Sequence, residues 1–208
     1  MFQPAVFRET RSEVMHDHMR QQPFATIVSS ATGSLSANHV PVVLKQGSGL
    51  GVLHGHIASV NPLFRETDGT IDVLAIFQGP QTYITPSWYS SKKEHGKVVP
   101  TWNYVVVHAH GQLTFTQERE WLLKHLDDLT SQHEDGREAP WSVNDAPDDF
   151  VAGQLRALVG FEIEIRDLAG TWKVSQNKNA SDRKGVQLGL ADQNENEMSQ
   201  LVSERARR

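Results

Sequence analysis

The sequence predicts an α+β domain whose mainly antiparallel sheet closes into a small β-barrel with flanking helices. Three observations lead there. β-Branched and apolar runs recur early in the chain, at 24–30, 40–44, 52–58 and 71–77. Helical periods then occupy the middle, at 118–131 and 148–158, before strand-like runs return at 159–165 and 172–175. Six or seven short strands leave costly free edges in an open sheet, so closure into a barrel is favoured.

Residues 12–22 form the first expected helix. Val14 and Met19 mark its apolar side, and Pro23 ends it because the residue before a proline avoids the helical region. Phe24 to Ser30 and Val40 to Leu44 read as strands, with Thr32-Gly33-Ser34 as turn chemistry between them. Gln46-Gly47-Ser48-Gly49-Leu50-Gly51 resembles a phosphate-cradling glycine run. A strand follows it at Val52 where such a cradle needs a helix, so it reads as a hairpin loop. Asn61 is a suitable N-cap for a short helix that has Pro62 at its first position and reaches Glu66.

Ile71 to Phe77 reads as a buried strand, followed by a long loop from Gly79 to Pro100. Loops of that length are uncommon in compact domains and are often functional. Asn103–His108 and Gly111–Thr116 read as two strands. Trp121, Leu122, His125, Leu126 and Leu129 then set a helical period within 118–131. After a helix at 148–158, strands at 159–165 and 172–175 flank an Ala169-Gly170 turn, and Ser181 caps a helix to Leu190. The expected division is one domain over 1–190 and a charged tail over 191–208 that frays or awaits a partner.

Composition removes several functions. The 208 residues contain no cysteine, which excludes disulfides, thiol nucleophiles and cysteine-ligated metal or iron–sulfur centres. The N-terminal residues lack a basic stretch followed by an apolar run, and nothing approaches the ~18 consecutive apolar residues of a membrane helix. A cytoplasmic location is the expectation. Net charge is −5, with an acidic stretch from Glu118 to Asp149. Duplex binding draws its affinity from phosphate neutralisation, so DNA is a possible partner that neither charge nor a recognition motif supports. The tail residues Arg205, Arg207 and Arg208 are the clearest cationic exception.

Three His-x-His pairs occur, at His16/His18, His54/His56 and His108/His110. On a strand such a pair shares one face, so the latter two could chelate a metal. No carboxylate stands in an obvious strand-mate position beside His54 or His56, and the expectation is no metal. Cofactor contact by that pair is preferred over a purely structural role. No serine sits in a Gly-x-Ser-x-Gly elbow, and there is no phosphate loop. Asp127/Asp128 and Asp148/Asp149 read as solvated helix faces.

Polar and aromatic residues concentrate in three segments: 78–89 (QGPQTYITPSWY), 99–104 (VPTWNY) and 172–178 (WKVSQNK). Each combines rings that can stack on a planar heterocycle with side-chain amides that can pair with its edge. Each also offers hydroxyls or lysines suited to a phosphate. A planar anionic cofactor such as FMN needs all of these. Trp88, Trp102 and Trp172 could instead fill the core, but the neighbouring amides would then be costly to bury unpaired.

The stretches 53–62 (LHGHIASVNP), 76–89 (IFQGPQTYITPSWY), 98–108 (VVPTWNYVVVH), 159–163 (VGFEI) and 172–190 (WKVSQNKNASDRKGVQLGL) together resemble the FMN-binding negative transcriptional regulator family, the PaiB-type proteins. That resemblance implies a split β-barrel related to pyridoxamine-phosphate-oxidase-like flavoproteins, with FMN at the interface of a homodimer and a role in repressing transcription. Ser59 departs from the pattern, because a basic residue is expected there. The candidate cofactor-binding residues are His39, His54, His56, Asn61, Gln78, Tyr83, Ser87, Trp88, Thr101, Trp102, Asn103, Lys173, Ser175, Gln176 and Asn177; no catalytic residue is assigned. Two alternatives stay open: a flavin-dependent oxidoreductase or haem-degrading enzyme on the same barrel, and a cofactor-free regulator or scaffold.

Overall fold

The computed structural model describes residues 1–30, 33–47 and 49–205. Thr32 of the expected turn, Ser48 of the glycine-rich loop, and Arg207 and Arg208 of the basic tail lie outside the described residues. In chain order the elements are β1 (Arg8–Glu9), α1 (Ser12–Gln21), β2 (Phe24–Ser29), β3 (Ser36–Lys45), β4 (Val52–Ala58), α2 (Pro62–Arg65) and β5 (Thr70–Ile84). They continue with α3 (Ser91–His95), β6 (Thr101–Thr116), α4 (Arg119–Glu134), α5 (Asp148–Leu155), β7 (Leu158–Lys173), α6 (Ala180–Asp192) and α7 (Asn196–Glu204).

The sheet runs in the order β1-β7-β4-β3-β2-β5-β6, and β6 also pairs with β7. The six strands other than β1 therefore close into an antiparallel barrel, the split-barrel fold that the sequence predicts. The chain divides into two compact units. Unit 1 takes 1–11, 78–107 and the chain from Ala169; unit 2 takes 12–77 and 108–168.

Unit 2 carries the antiparallel ladders β2–β3, β2–β5, β3–β4 and β4–β7. Strict alternation in β4 buries Leu53, Gly55 and Ile57 and turns His54 and His56 to the other face. Across β7 the buried side has Phe161 and Ile163 as cross-strand partners, and these, like Ile27 and Phe77, retain no exposed surface. Gly55 is required by the close approach of Phe161, whose ring occupies the space a Cβ would need. Asn61 accepts from the Leu63 N–H at 2.9 Å and caps α2 as expected. Asp128 is not merely solvated: it pairs with Lys45 of β3 at 2.6 Å and with Lys124 one helical turn away.

In unit 1, β1 pairs with β7 through Arg8↔Thr171 and Glu9↔Gly170. Glu9 is 5 % exposed and gathers Arg11 and Arg205, which hold its carboxyl down at about 2 against the opposing cost of burial. Val186 and Leu190 of α6 and Met198 and Val202 of α7 bury their side chains.

The structure corrects several boundaries. The expected loop 79–100 is mostly ordered: β5 continues to Ile84, a 3-10 turn spans Pro86–Trp88, and α3 follows. Buried Ile84 between half-exposed Tyr83 and Thr85 continues the strand period past the glycine and proline that suggested a break. The strands expected at 103–108 and 111–116 form the single β6. Gly111 continues it because the β7 backbone at Glu164 lies where a side chain would be. β7 likewise runs through Ala169-Gly170 without a turn, since Glu9 and Arg8 supply ladder partners there. The cap of α6 is Asn179 rather than Ser181; its side chain accepts from the Asp182 N–H at 2.8 Å. Residues 196–204 form helix α7 instead of fraying, because Met198, Ser199 and Val202 bury one face.

Candidate functional site

Eleven of the candidate residues fall in unit 1 and four in unit 2 (His39, His54, His56, Asn61). In unit 1, β6 and β7 bring the second and third polar-aromatic segments together. The Lys173 ammonium donates to Thr101 Oγ1 at 2.5 Å and to the Trp102 carbonyl at 2.6 Å, and it lies 5.9 Å from the centre of the Tyr104 ring. Trp102 donates its indole N–H to Gln81 Oε1 at 3.0 Å and meets Tyr83 edge to face. Tyr83 and Trp102 stay 48 % and 49 % exposed, so their faces remain available for stacking. Trp172, by contrast, is buried, with the Arg205 guanidinium 5.1 Å from its ring centre, and belongs to the core.

Below this surface lies a buried polar pair. Asn103 is fully buried; its amide nitrogen donates to Ser175 Oγ at 3.0 Å. Ser175 has φ of +65°, a left-handed conformation that a non-glycine residue rarely adopts. Its pairing with Asn103 holds that conformation, and such strain gathers where a chain must be aimed. Gln176 folds back, accepting from the Val174 N–H at 2.8 Å and donating to the Trp172 carbonyl. It also borders a cavity of about 360 Å³ that Arg8, Glu9, Arg11 and Arg205 line. Gln78, Ser87 and Asn177 are exposed, and Lys92 donates to the Ser87 hydroxyl at 3.2 Å. Trp88 packs on α6: Gly189 faces its indole, and Gly185 faces its carbonyl so closely that a Cβ on either glycine would collide.

Charge in this region is unbalanced. Lys173 is held by neutral oxygens, and burial, followed by repulsion from Lys178, pushes its pKa down. Lys178 lies 4.5 Å from the centre of the Tyr89 ring. Arg183 Nε and Tyr89 Oη are buried with no hydrogen-bond partner among the described residues. The nearby Asp182 carboxylate is taken by Ser90, Ser91 and Asn179. Arg183 Nη1 donates to the Lys178 carbonyl at 2.9 Å, and Lys178 helps to lower the pKa of Asp182. The mutually repelling ammoniums of Lys173 and Lys178 are a donor pair that fits a phosphate. Lys178 closes the 172–178 segment but is not among the candidate residues, and Arg183 lies outside that segment; their neighbours become visible only once α6 folds back on the 86–91 segment.

In unit 2, His39 is exposed on β3, with Thr26 Oγ1 3.0 Å from its Nδ1, and Asn61 donates to Asn38 Oδ1 at 2.8 Å. His54 and His56 face α4. His54 lies 3.4 Å from Glu162 Oε1 and beside the Trp121 ring, and His56 Nδ1 is 3.0 Å from His125 Nε2. Glu162 is the cross-strand partner of His54, which corrects the expectation that no carboxylate stands beside the pair. A pairing across β4 and β7 cannot be read from spacing along one strand. Among the described residues, no group of three or more His, Asp or Glu side chains could hold a metal.

The family described as "Putative FMN-binding domain" matches residues 1–167. The chain belongs to that family. FMN is the cofactor this FMN-binding domain takes, and the phosphate-ready cations and exposed rings of unit 1 fit it. The family match stops before Lys173, so the cationic strand end and α6 lie beyond the shared span. A Bacillus subtilis protein named protease synthase and sporulation protein PAI 2 is 30% identical over 211 residues, covering 100% of this chain and 99% of that one. An uncharacterized Aspergillus fumigatus protein is 31% identical over 91% of this chain and 90% of its own. Among solved structures, an FAD and haem binding protein from Mycobacterium smegmatis matches with a TM-score of 0.59 at 15% identity, over 80% of this chain and 73% of that one. A conserved hypothetical protein from Mycobacterium tuberculosis matches with the same TM-score of 0.59 at 12% identity, over 86% and 94%. These two likenesses establish the barrel fold that the FMN-binding domain shares.

Proposed function

We propose that this FMN-binding domain is a regulatory flavoprotein of the PaiB type that works as a cytoplasmic homodimer. The observation that carries the FMN site is Lys173, a partly buried ammonium fixed by Thr101 and the Trp102 carbonyl beside two exposed rings. Lys173, with Lys178 and Arg183 nearby, serves the phosphate. Tyr83 and Trp102 offer the stacking surface, and Gln78, Ser87 and Asn177 the exposed polar edge. Asn103 and Ser175 act as supports that fix the exit of β7, and Gln176 ties that exit back to Trp172. Bound FMN supplies redox chemistry and a visible chromophore; the chain's own residues bind it, orient it and limit its contact with water. Repression is the role the PaiB-type resemblance suggests, and the full-length similarity to the B. subtilis sporulation protein supports it. Among the described residues no helix is long and apolar enough to cross a membrane.

Replacing Lys173 with alanine is expected to weaken FMN binding by about 1–3 kcal/mol, the scale of a charge-assisted hydrogen bond. Fluorescence titration of FMN against the wild type and the variant measures it, and equal affinities would remove Lys173 from the site. The half-exposed rings of Tyr83 and Trp102 leave a flavin on one copy open to solvent, which a two-fold partner would cover. Light scattering at micromolar concentration with FMN present is expected to give the mass of two chains; a single-chain mass would overturn the dimer.

A further inference from the structure

Unit 2 holds a cavity that the FMN reading does not use. It measures about 550 Å³ and lies where the start of α4, the end of α5 and the start of β7 converge. Its floor is apolar: Leu122 and Leu155 are buried, and Ala152 and Leu158 add to it. Arg119, Arg156 and Gln117 complete the lining. Both guanidiniums are exposed, and neither has a hydrogen bond or ion pair among the described residues. Among the other described arginines, Arg11, Arg20, Arg137, Arg166 and Arg205 each pair with a carboxylate, Arg8 and Arg183 donate to backbone carbonyls, and Arg65 is likewise unpaired.

Two further features favour an anion there. Arg119 is the first residue of a 16-residue helix, whose N-terminal end carries partial positive charge. The preceding Glu118 makes no side-chain cap, which leaves first-turn N–H donors without that partner. A volume of this size lies within the range of small-molecule sites, which are typically apolar with a few placed polar groups.

We propose that this cavity is a second ligand site, for an amphiphilic carboxylate such as a medium-chain or arylalkyl acid. Arg119 and Arg156 hold the carboxylate at the mouth, and Leu122, Ala152, Leu155 and Leu158 receive the apolar tail. A small carboxylate without a tail leaves the floor wet, and an apolar amine meets two like charges. The site stands whether or not FMN binds in unit 1, and it gives a regulatory flavoprotein a place for an effector.

Isothermal titration of the full-length, FMN-saturated protein with octanoate tests it, with octylammonium and acetate as controls. Saturable one-to-one binding of octanoate alone is expected, and the Arg119→Gln/Arg156→Gln variant should weaken it at least about tenfold. Ala152→Trp, which fills the floor, should abolish it. Both arginines are exposed and unpaired, so the glutamine variant keeps the test sound if the tryptophan variant fails to fold. Octylammonium binding as well as octanoate, an unaffected glutamine variant, or no saturable octanoate binding would each overturn the proposal. Retained FMN absorbance in the glutamine variant shows that any loss of octanoate binding is not a failure of the flavin site.

Discussion

Lowering the pH from 7 to 4.5 is expected to reduce unfolding free energy by about 2–3 kcal/mol through His125 alone. His125 of α4 is 1 % exposed, its Nε2 lies against His56, and its Nδ1 is buried without a partner among the described residues. Burial, followed by repulsion from His56 and His54, pushes its pKa down from 6.5 to about 3. Burial also lowers His56, His54 and His18; at His54 the attraction of Glu162 opposes the shift. The sign follows from proton uptake. Below 6.5 the unfolded chain binds protons that the folded imidazoles refuse, so this stability is complete above that pH. It is lost as the pH falls toward about 3. The carboxylates act in a lower window: Glu9, held at about 2, gives up its contribution only as the pH falls below the ordinary carboxylate range.

Urea unfolding followed across this pH series measures the effect. His125→Gln keeps a side chain that can hydrogen-bond to His56 but cannot titrate, so its stability should change less between pH 7 and 4.5 than that of the wild type. A wild-type midpoint that stays constant down to pH 4.5 would show that the imidazoles gain compensating contacts when charged. The charged groups facing this cluster are Lys45 on β3, Glu162 on β7, and Lys124 and Asp128 on α4. Glu162 is the one placed to moderate His54.

The second large effect concerns two glycines that face one tryptophan. Gly185→Ala is expected to destabilise the protein by about 1–3 kcal/mol or more, as overpacking against rigid atoms does. The new methyl would meet the carbonyl of Trp88, which is backbone and cannot rotate away. The 3-10 turn Pro86–Trp88 must then shift, taking Ser87 and Trp88 with it, so FMN affinity should fall together with stability. Gly153→Ala in α5 is the control. There the nearest atom to a new Cβ is the flexible end of Arg156 at 3.7 Å, and the usual helical preference for alanine should make it neutral or stabilising by about 0.5–1 kcal/mol. Thermal unfolding of both variants separates the cases; equal midpoints would mean the Trp88 turn yields freely.

How much of this was legible follows from the range of the forces involved. Local signals spoke clearly: Pro23 ended α1, Asn61 capped α2, and alternation in β4 placed His54 and His56 on one face. Punctuation by glycine and proline misled wherever a partner strand overrode it. Gly79-Pro80, Gly111 and Ala169-Gly170 all lie inside strands, because ladder hydrogen bonds and close backbone approach outweigh local turn preference. The rings and lysines of segments 99–104 and 172–178 were visible as composition, but their meeting through Lys173 and Thr101 emerges only in the fold. Nothing local announced Asn103 and Ser175 as a buried pair or His56 and His125 as neighbours, since 72 and 69 residues separate them.

The tie between the two ends of unit 1 bears on the order in which the chain folds. Gln3 donates to the Gly170 carbonyl across 167 residues of sequence, and Glu9 is closed over by Arg205. Residues 1–11 therefore gain these distant partners only after Gly170 and Arg205 have been synthesised. Until then β1 lacks its β7 partner, and Glu9 has only the local Arg11 to pair with. The ladders joining β2, β3, β4 and the first half of β5 need only residues 24–77, so they can form while the rest is still being synthesised. Completion of unit 1 then waits for the chain beyond Ala169, and the Lys173 cluster can assemble only after residues 24–77 have had time to pair.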